Sequence, residues 1–121
     1  MKMHQDLNQG RNQFTGYGEG HVLINRERYE GSLIVTADEI ASWDVASFED
    51  LSTDDFARLL DWRPEVVLLG TGERQRFAHP RLSAALAAAG VGLETMSTQA
   101  VCRTFNILVA EDRRALAALL P

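Results

Sequence analysis

Cysteine is nearly absent from this chain of 121 residues, with Cys102 the only one. No intrachain disulfide can form, and a reducing compartment is the natural expectation. Apolar residues nowhere continue for the ~18 positions that a membrane-spanning helix needs. The amino-terminal stretch MKMHQDLNQGRNQ is polar and lacks the apolar centre of a secretory signal. These absences predict a soluble, cytoplasmic protein without membrane insertion. Basic residues are missing from Glu30 to Asp55, where Glu30, Asp38, Glu39, Asp44, Glu49, Asp50, Asp54 and Asp55 stand without a single Lys or Arg. Such a stretch repels a phosphate backbone and argues against general nucleic-acid binding. It reads either as a solvated acidic face or as a docking surface for a basic partner. There is no internal repeat and no low-complexity tract.

What is present is ordinary: 45% hydrophobic residues, 24% charged residues and a net charge of −5. That composition and length predict one globular domain with one core over residues 1–121, residues 1–12 forming a loose lead-in. HVLIN and RYEGSLIVT read as two strands around a turn near Asn25-Arg26-Glu27. The alternating Gly16, Gly18 and Gly20 suggest a bulge or a close backbone contact more than a ligand loop. ADEIASWDV reads as irregular, anchored by Ile40, Trp43 and Val45. LSTDDFARLL has a helix start in Ser52 or Thr53, with acids in its first turn, and Arg63-Pro64 ends it. VVLLG is apolar on both faces and reads as a central strand. Pro80 suits the first turn of a second helix, RLSAALAAAG, and VGLETM follows as a strand. Strand–helix–strand order predicts a right-handed crossover between parallel neighbours. Ser97 can cap a third helix through about Val109. After EDRR, ALAALL could extend a helix or form a last strand; local propensity favours helix.

Gly70-Thr71-Gly72 ends the central strand and raises the question of a nucleotide loop. The dinucleotide fingerprint needs a third glycine where Gln75 stands, and the P-loop's Lys-Ser or Lys-Thr pair is missing. Position gives the loop a second chance, because the ends of parallel strands are where open α/β sheets bind ligands. Gly70, Thr71, Gly72, Arg74, Ser97, Thr98 and Arg103, with Arg76 nearby, could together hold a carboxylate or phosphate. The plainer reading is a tight turn with arginines paired to surface acids. Cys102 and Asn106 share a helix face, and a pocket here would be lined by Gly70–Gly72, Ser97 and Cys102. A nucleophilic or redox-sensing Cys102 needs an exposed thiolate and a base, and no histidine stands in a local catalytic motif. A buried, inert cysteine is the better reading. One cysteine and three scattered histidines give no metal-ligand spacing, so neither metal nor cofactor is expected.

Three stretches carry a resemblance: GYGEGHVLINRERYEGSLIV, PEVVLLGTGERQRF and LETMSTQAVCRTFNILVAEDRRALAALLP. Together, over residues 13 to 121, they resemble the small domain-of-unknown-function family that includes mitochondrial complex I assembly factor 3, an adipogenesis-associated cytosolic protein and bacterial and archaeal relatives. The resemblance implies a compact three-layer α/β domain, its central mixed sheet packed with helices and joined by a β-hairpin subelement. It implies that ALAALL is the last strand, antiparallel to the others. It marks Gly70, Thr71, Gly72, Cys102, Thr104 and Asn106 without assigning catalysis. The function expected from it is a non-enzymatic protein-interaction or assembly-support module with an unidentified protein partner. The alternative is a small-anion or small-ligand-binding domain or enzyme at the glycine loop. Homo-oligomerisation through a free sheet edge or helix face is open.

Overall fold

Asn25 and Arg26 both adopt left-handed backbone angles, with φ of 51° and 73°. Their turn matches the twist of paired strands, so it closes a hairpin between β2 (His21–Ile24) and β3 (Glu27–Glu30). Strand β1 (Phe14–Gly18) pairs antiparallel with the other side of β2, with a bulge between Phe14 and Gly16. The close contact expected near the alternating glycines is present: a Cβ on Gly18 would lie 2.4 Å from the His21 ring. These elements belong to a computed structural model that describes residues 10–121.

RYEGSLIVT is not one strand. Gly31, with φ of 82°, turns the chain after β3 and sends β4 (Leu33–Val35) into a second sheet. The reason is burial: β3 is mostly exposed, whereas all three residues of β4 are buried and require cover on both faces. That second sheet has five strands in the order β5-β4-β8-β6-β7, with β5 at Ile40–Ser42, β6 at Val66–Gly70, β7 at Gly92–Met96 and β8 at Ala115–Leu119. The segment read as irregular thus contributes the short edge strand β5, while Trp43 and Val45 are buried as anchors.

Strands β6 and β7 are parallel neighbours, as expected, and the chain between them carries the helical segment Ala84–Ala88. Helix α1 (Thr53–Arg58) starts in a capping box, in which the Asp55 N–H donates to the Ser52 hydroxyl and the Ser52 N–H donates to the Asp55 carboxylate. Helix α2 (Ala84–Ala88) follows a 3-10 turn that begins at Pro80. Helix α3 (Thr98–Ala110) starts at Ser97, whose hydroxyl accepts from the Ala100 N–H. Asp112, with φ of 62°, stops the helical path before β8. Strand β8 corrects the expected direction: it is antiparallel to β4 but parallel to β6. The α3 crossover returns the chain to the edge where β6 and β7 begin, and a strand entering there runs with them. Neighbours on both sides supply its ladder, so ALAAL is extended despite its helical propensity.

Alternate residues of the central strands face two apolar layers. Val66, Leu68, Ala115 and Ala117 meet α3 and the three-stranded sheet, while Val67, Leu69, Leu116 and Ala118 meet α1, α2 and Trp43. The small alanines let both layers approach the sheet closely. Of the lead-in expected over residues 1–12, residues 1–9 lie outside the described residues. Arg11 and Asn12 are not loose: Arg11 donates to the Val109 carbonyl at 2.8 Å, and the Asn12 N–H donates to the Ala37 carbonyl at 2.7 Å. Among the described residues no helix is long and apolar enough to cross a membrane.

Candidate functional site

The loop after β6 runs to the α2 layer, and the loop after β7 runs to α3 on the opposite face of the sheet. Between two such divergent loops an open α/β sheet leaves a crevice. Here it is a solvent-open cleft of about 800 Å³ whose lining includes Thr71, Gly72, Arg74, Ser97 and Thr98.

Most polar groups of the glycine loop are engaged inside the fold. The Thr71 N–H donates to the Met96 carbonyl at 3.1 Å, and the Thr98 N–H donates to the Gly72 carbonyl at 2.8 Å. Thr71 is the one buried polar residue among those described. Its hydroxyl donates to the Arg74 carbonyl at 2.6 Å and accepts from the Arg76 N–H at 3.0 Å. Gly70 is set by packing: a Cβ there would lie 2.7 Å from Leu119 Cδ2 and 3.2 Å from Val101 Cγ2. Gly72 is set by backbone shape, with φ of 90° and the Pro121 carbonyl oxygen 3.1 Å from where a Cβ would sit. The glycine pair is therefore a tight, internally bonded turn at the end of a central strand, and its Thr71 N–H is not left for an anion.

The sequence-named residues separate into two groups. Thr71, Gly72, Arg74, Ser97 and Thr98 line the cleft, and Gly70 packs beneath it. Cys102, Arg103 and Asn106 do not line it. The expected pocket wall at Cys102 is thus corrected: its side chain is buried in the layer between α3 and the sheets. Burial pushes the Cys102 thiol up to about 11, against the pull of the Arg103 guanidinium. A thiolate is scarce at neutral pH, which removes the footing for redox sensing. Arg103 is exposed on α3. Asn106 reads one peptide edge of β1: its Oδ1 accepts from the Phe14 N–H at 2.9 Å, and its Nδ2 donates to the Phe14 carbonyl at 2.8 Å. Beside this clamp the Phe14 and Phe105 rings meet edge to face at 5.2 Å. His79 caps the turn before α2, accepting from the Arg81 N–H at 3.0 Å. That places it in the layer opposite Cys102.

The sequence reading missed the second wall. Tyr17, Val22 and Tyr29 are cross-strand partners in one row of the three-stranded sheet, and all three line the cleft with His21 and Glu19. The signal was available only as strand register, because nothing local ties Tyr17 to Thr98. Charges in the cleft are balanced in number: Arg74 and Arg76 against Glu19 and Glu73. Arg76 is engaged elsewhere, pairing with Glu49 at 2.9 Å and lying 4.3 Å over the Phe48 ring. That pairing, after a backbone hydrogen bond of its own, holds the Glu49 carboxyl below its ordinary range. No group of His, Cys, Asp and Glu among the described residues could hold a metal ion.

A three-layer α/β domain with a mixed sheet, an appended antiparallel meander and a cleft at the carboxyl edge of its parallel strands is the class these features define. The chain belongs to the family described as protein of unknown function (DUF498/DUF598), whose model matches residues 14–120. This is the family whose resemblance the glycine loop and the α3 motif carried. Over 107 residues the chain is 31% identical to NADH dehydrogenase (ubiquinone) 1 alpha subcomplex assembly factor 3 of Bos taurus, covering 87% of this chain. It spans 58% of that protein's length. It is 28% identical over 102 residues to a Francisella tularensis protein named 13 kDa major membrane protein, covering 83% of each chain. Among solved structures, a Bordetella parapertussis protein superposes with a TM-score of 0.87 at 39% identity, covering 93% of this chain and 98% of that one.

Proposed function

We propose that the chain is a non-enzymatic protein-interaction module that supports assembly of a larger complex. The observation that carries this reading is its kinship with an assembly factor of a respiratory NADH dehydrogenase over nearly the whole described chain. The local chemistry agrees with it. Cys102 is buried with a high pKa, Asn106 holds β1, and Asp55 caps α1. Each of these three side chains has a structural task. The partner is a protein, and the site of action is the cytoplasm or the cytoplasmic surface of a membrane complex. The experiment is capture with the tagged full chain at native expression, followed by washing at high salt. A partner retained at a fixed ratio to the bait supports the reading, and a bait that elutes alone in repeated preparations contradicts it.

A second reading rests on a specific observation, the cleft itself. Aromatic side chains on one wall and polar groups on the other are what a small-ligand site needs, and Arg74 offers a guanidinium for a carboxylate or phosphate. Thermal-shift screening of the protein against anions, nucleotides and metabolites tests it. A ligand at ~100 times its dissociation constant adds about 2.7 kcal/mol of stability. That gain must vanish in Arg74→Ala if the cleft is the site.

A further inference from the structure

A sheet edge presents N–H and C=O groups that a further strand can extend, unless something covers them. The two sheets have four edges among the described residues, and side chains engage three of them. Asn106 bonds both backbone groups of Phe14 on β1. Gln75 Nε2 donates to the Thr95 carbonyl of β7 at 2.7 Å, and Arg58 Nη1 donates to the Ser42 carbonyl of β5 at 3.3 Å. Strand β3 is the fourth edge. Its ladder partner is β2 alone, and its side chains bond one another, Arg28 to Glu30 and Tyr29 to Glu27.

The outward groups of β3 follow from the register. The Asn25 N–H reaches the Gln13 carbonyl at 2.9 Å, on the β1 side of the hairpin. Backbone bonding directions alternate along a strand, so His21 and Leu23 also face β1, and Val22 and Ile24 face β3. Their partners Tyr29 and Glu27 therefore bond inward, which leaves the N–H and C=O groups of Arg28 and Glu30 outward. A second copy related by a two-fold axis can meet these groups antiparallel, centred on Arg28, on Glu30 or on Tyr29. The first choice sets arginine against arginine and the second carboxylate against carboxylate. The third sets Arg28 against Glu30 of the partner subunit, and Glu30 against Arg28 of the partner subunit. Arg28 and Glu30 already pair along their own strand at 2.8 Å, so each charge then has only opposite charges as nearest neighbours in the group.

From the one uncovered edge and its self-complementary charge order we propose that β3 is a homodimer edge, two copies pairing antiparallel about Tyr29. A strand of another protein would need to bring the same Arg-x-Glu order, whereas a second copy carries it. The Tyr29 rings meet on the other face of the joined sheet, the face of the Tyr17–Val22–Tyr29 row. Tyr29 of the partner subunit continues that row, so the two clefts share a wall. A contact of one short strand gives a transient dimer, with a dissociation constant on the order of 100 µM, and dilute chain is free. The inference is independent of the interaction-module reading.

Disulfide trapping in the purified full chain tests the register. Directly opposed residues of a non-hydrogen-bonded pair have Cα atoms about 4.5 Å apart, within disulfide range. Two copies of position 27 stand about 13 Å apart in this pairing. Under mild oxidation Tyr29→Cys should form a covalent dimer at least about 10-fold faster than Glu27→Cys; Cys102 is buried and does not compete. Sedimentation equilibrium tests the charge order. Arg28→Glu and Glu30→Arg each oppose like charges and should weaken self-association about 10-fold, and mixing the two variants should restore it. Both residues are exposed, so an unchanged melting temperature separates lost pairing from lost folding. Wild-type chain that stays monomeric up to about 1 mM overturns the dimer. Trapping as fast at 27 as at 29 overturns the register. Charge reversals without effect, or a mixture that stays monomeric, overturn the charge order. Host extract that diverts Tyr29→Cys from its own dimer to a foreign protein overturns the second copy as occupant.

Discussion

Replacing Asn106 by leucine removes a clamp that joins residues 92 positions apart. The side chain completes the edge of β1 as a neighbouring strand would, accepting from the Phe14 N–H and donating to its carbonyl. Leucine keeps the volume and supplies neither group. Both bonds are part-buried, so each orphaned backbone group costs about 1–2 kcal/mol, near the lower end of the range for unsatisfied polar groups. The sum is about 2–4 kcal/mol, or a fall in melting temperature of about 8–15 °C for a chain of this size. Hydrogen exchange should localise the damage, with the Phe14 and Asn25 amides losing protection before those of β6. The aspartate variant sharpens the test. Asn106→Asp keeps the acceptor for the N–H but sets a charged oxygen against the Phe14 carbonyl. That contact raises the carboxyl's folded pKa above its unfolded value of about 3.9. The folded state then binds the extra proton, so stability falls as pH rises through the folded pKa, and below the unfolded pKa the variant approaches wild type. A leucine variant melting within about 2 °C of wild type, or an aspartate variant whose deficit does not grow with pH, refutes the clamp.

Gly70→Ala should cost about 1–3 kcal/mol by overpacking against Leu119 and Val101, read as a lowered midpoint in urea; an unchanged midpoint contradicts the packing role. Cys102 should resist thiol reagents in the native protein at neutral pH and react readily in denaturant, because burial pushes its pKa up to about 11; equal rates in both states contradict the burial. Glu65 accepts from the Arg114 N–H and pairs with Arg113, which hold its carboxyl below the ordinary 4.5. A depressed folded pKa gives stability that is present above the unfolded value and lost as pH falls through the folded one. Glu65→Gln should therefore shallow the decline in melting temperature on acidification below about pH 4.5, and an unchanged slope contradicts that linkage.

Local signals made the helices legible. Ser52, Pro80 and Ser97 each stand where a helical segment or its leading turn begins, and their caps need only neighbours in sequence. The central strand VVLLG was legible because apolar residues on both faces demand cover on both faces. Gly31 was harder to read: between Glu30 and Ser32 it sits inside a stretch that reads as one strand until it is known that β3 and β4 belong to different sheets. The direction of β8 depends on which edge the α3 crossover returns to, and that is a property of the whole topology. The cleft was half legible. The glycine loop and the start of α3 could be placed on one edge from strand order. The Tyr17–Val22–Tyr29 wall needed the three-stranded sheet to fold over that edge, and Cys102 needed the phase of α3 to be known before it could be turned away from the cleft.

The central claim is that this chain acts by holding another protein. The most direct measurement is the size at which it migrates in native host extract at its natural expression level. The account predicts a species well above the 13.4 kDa of the chain that shrinks to free chain when the bait is overexpressed beyond its partner. A chain that migrates alone at every expression level, while a small molecule bound in the cleft raises its melting temperature, would contradict it.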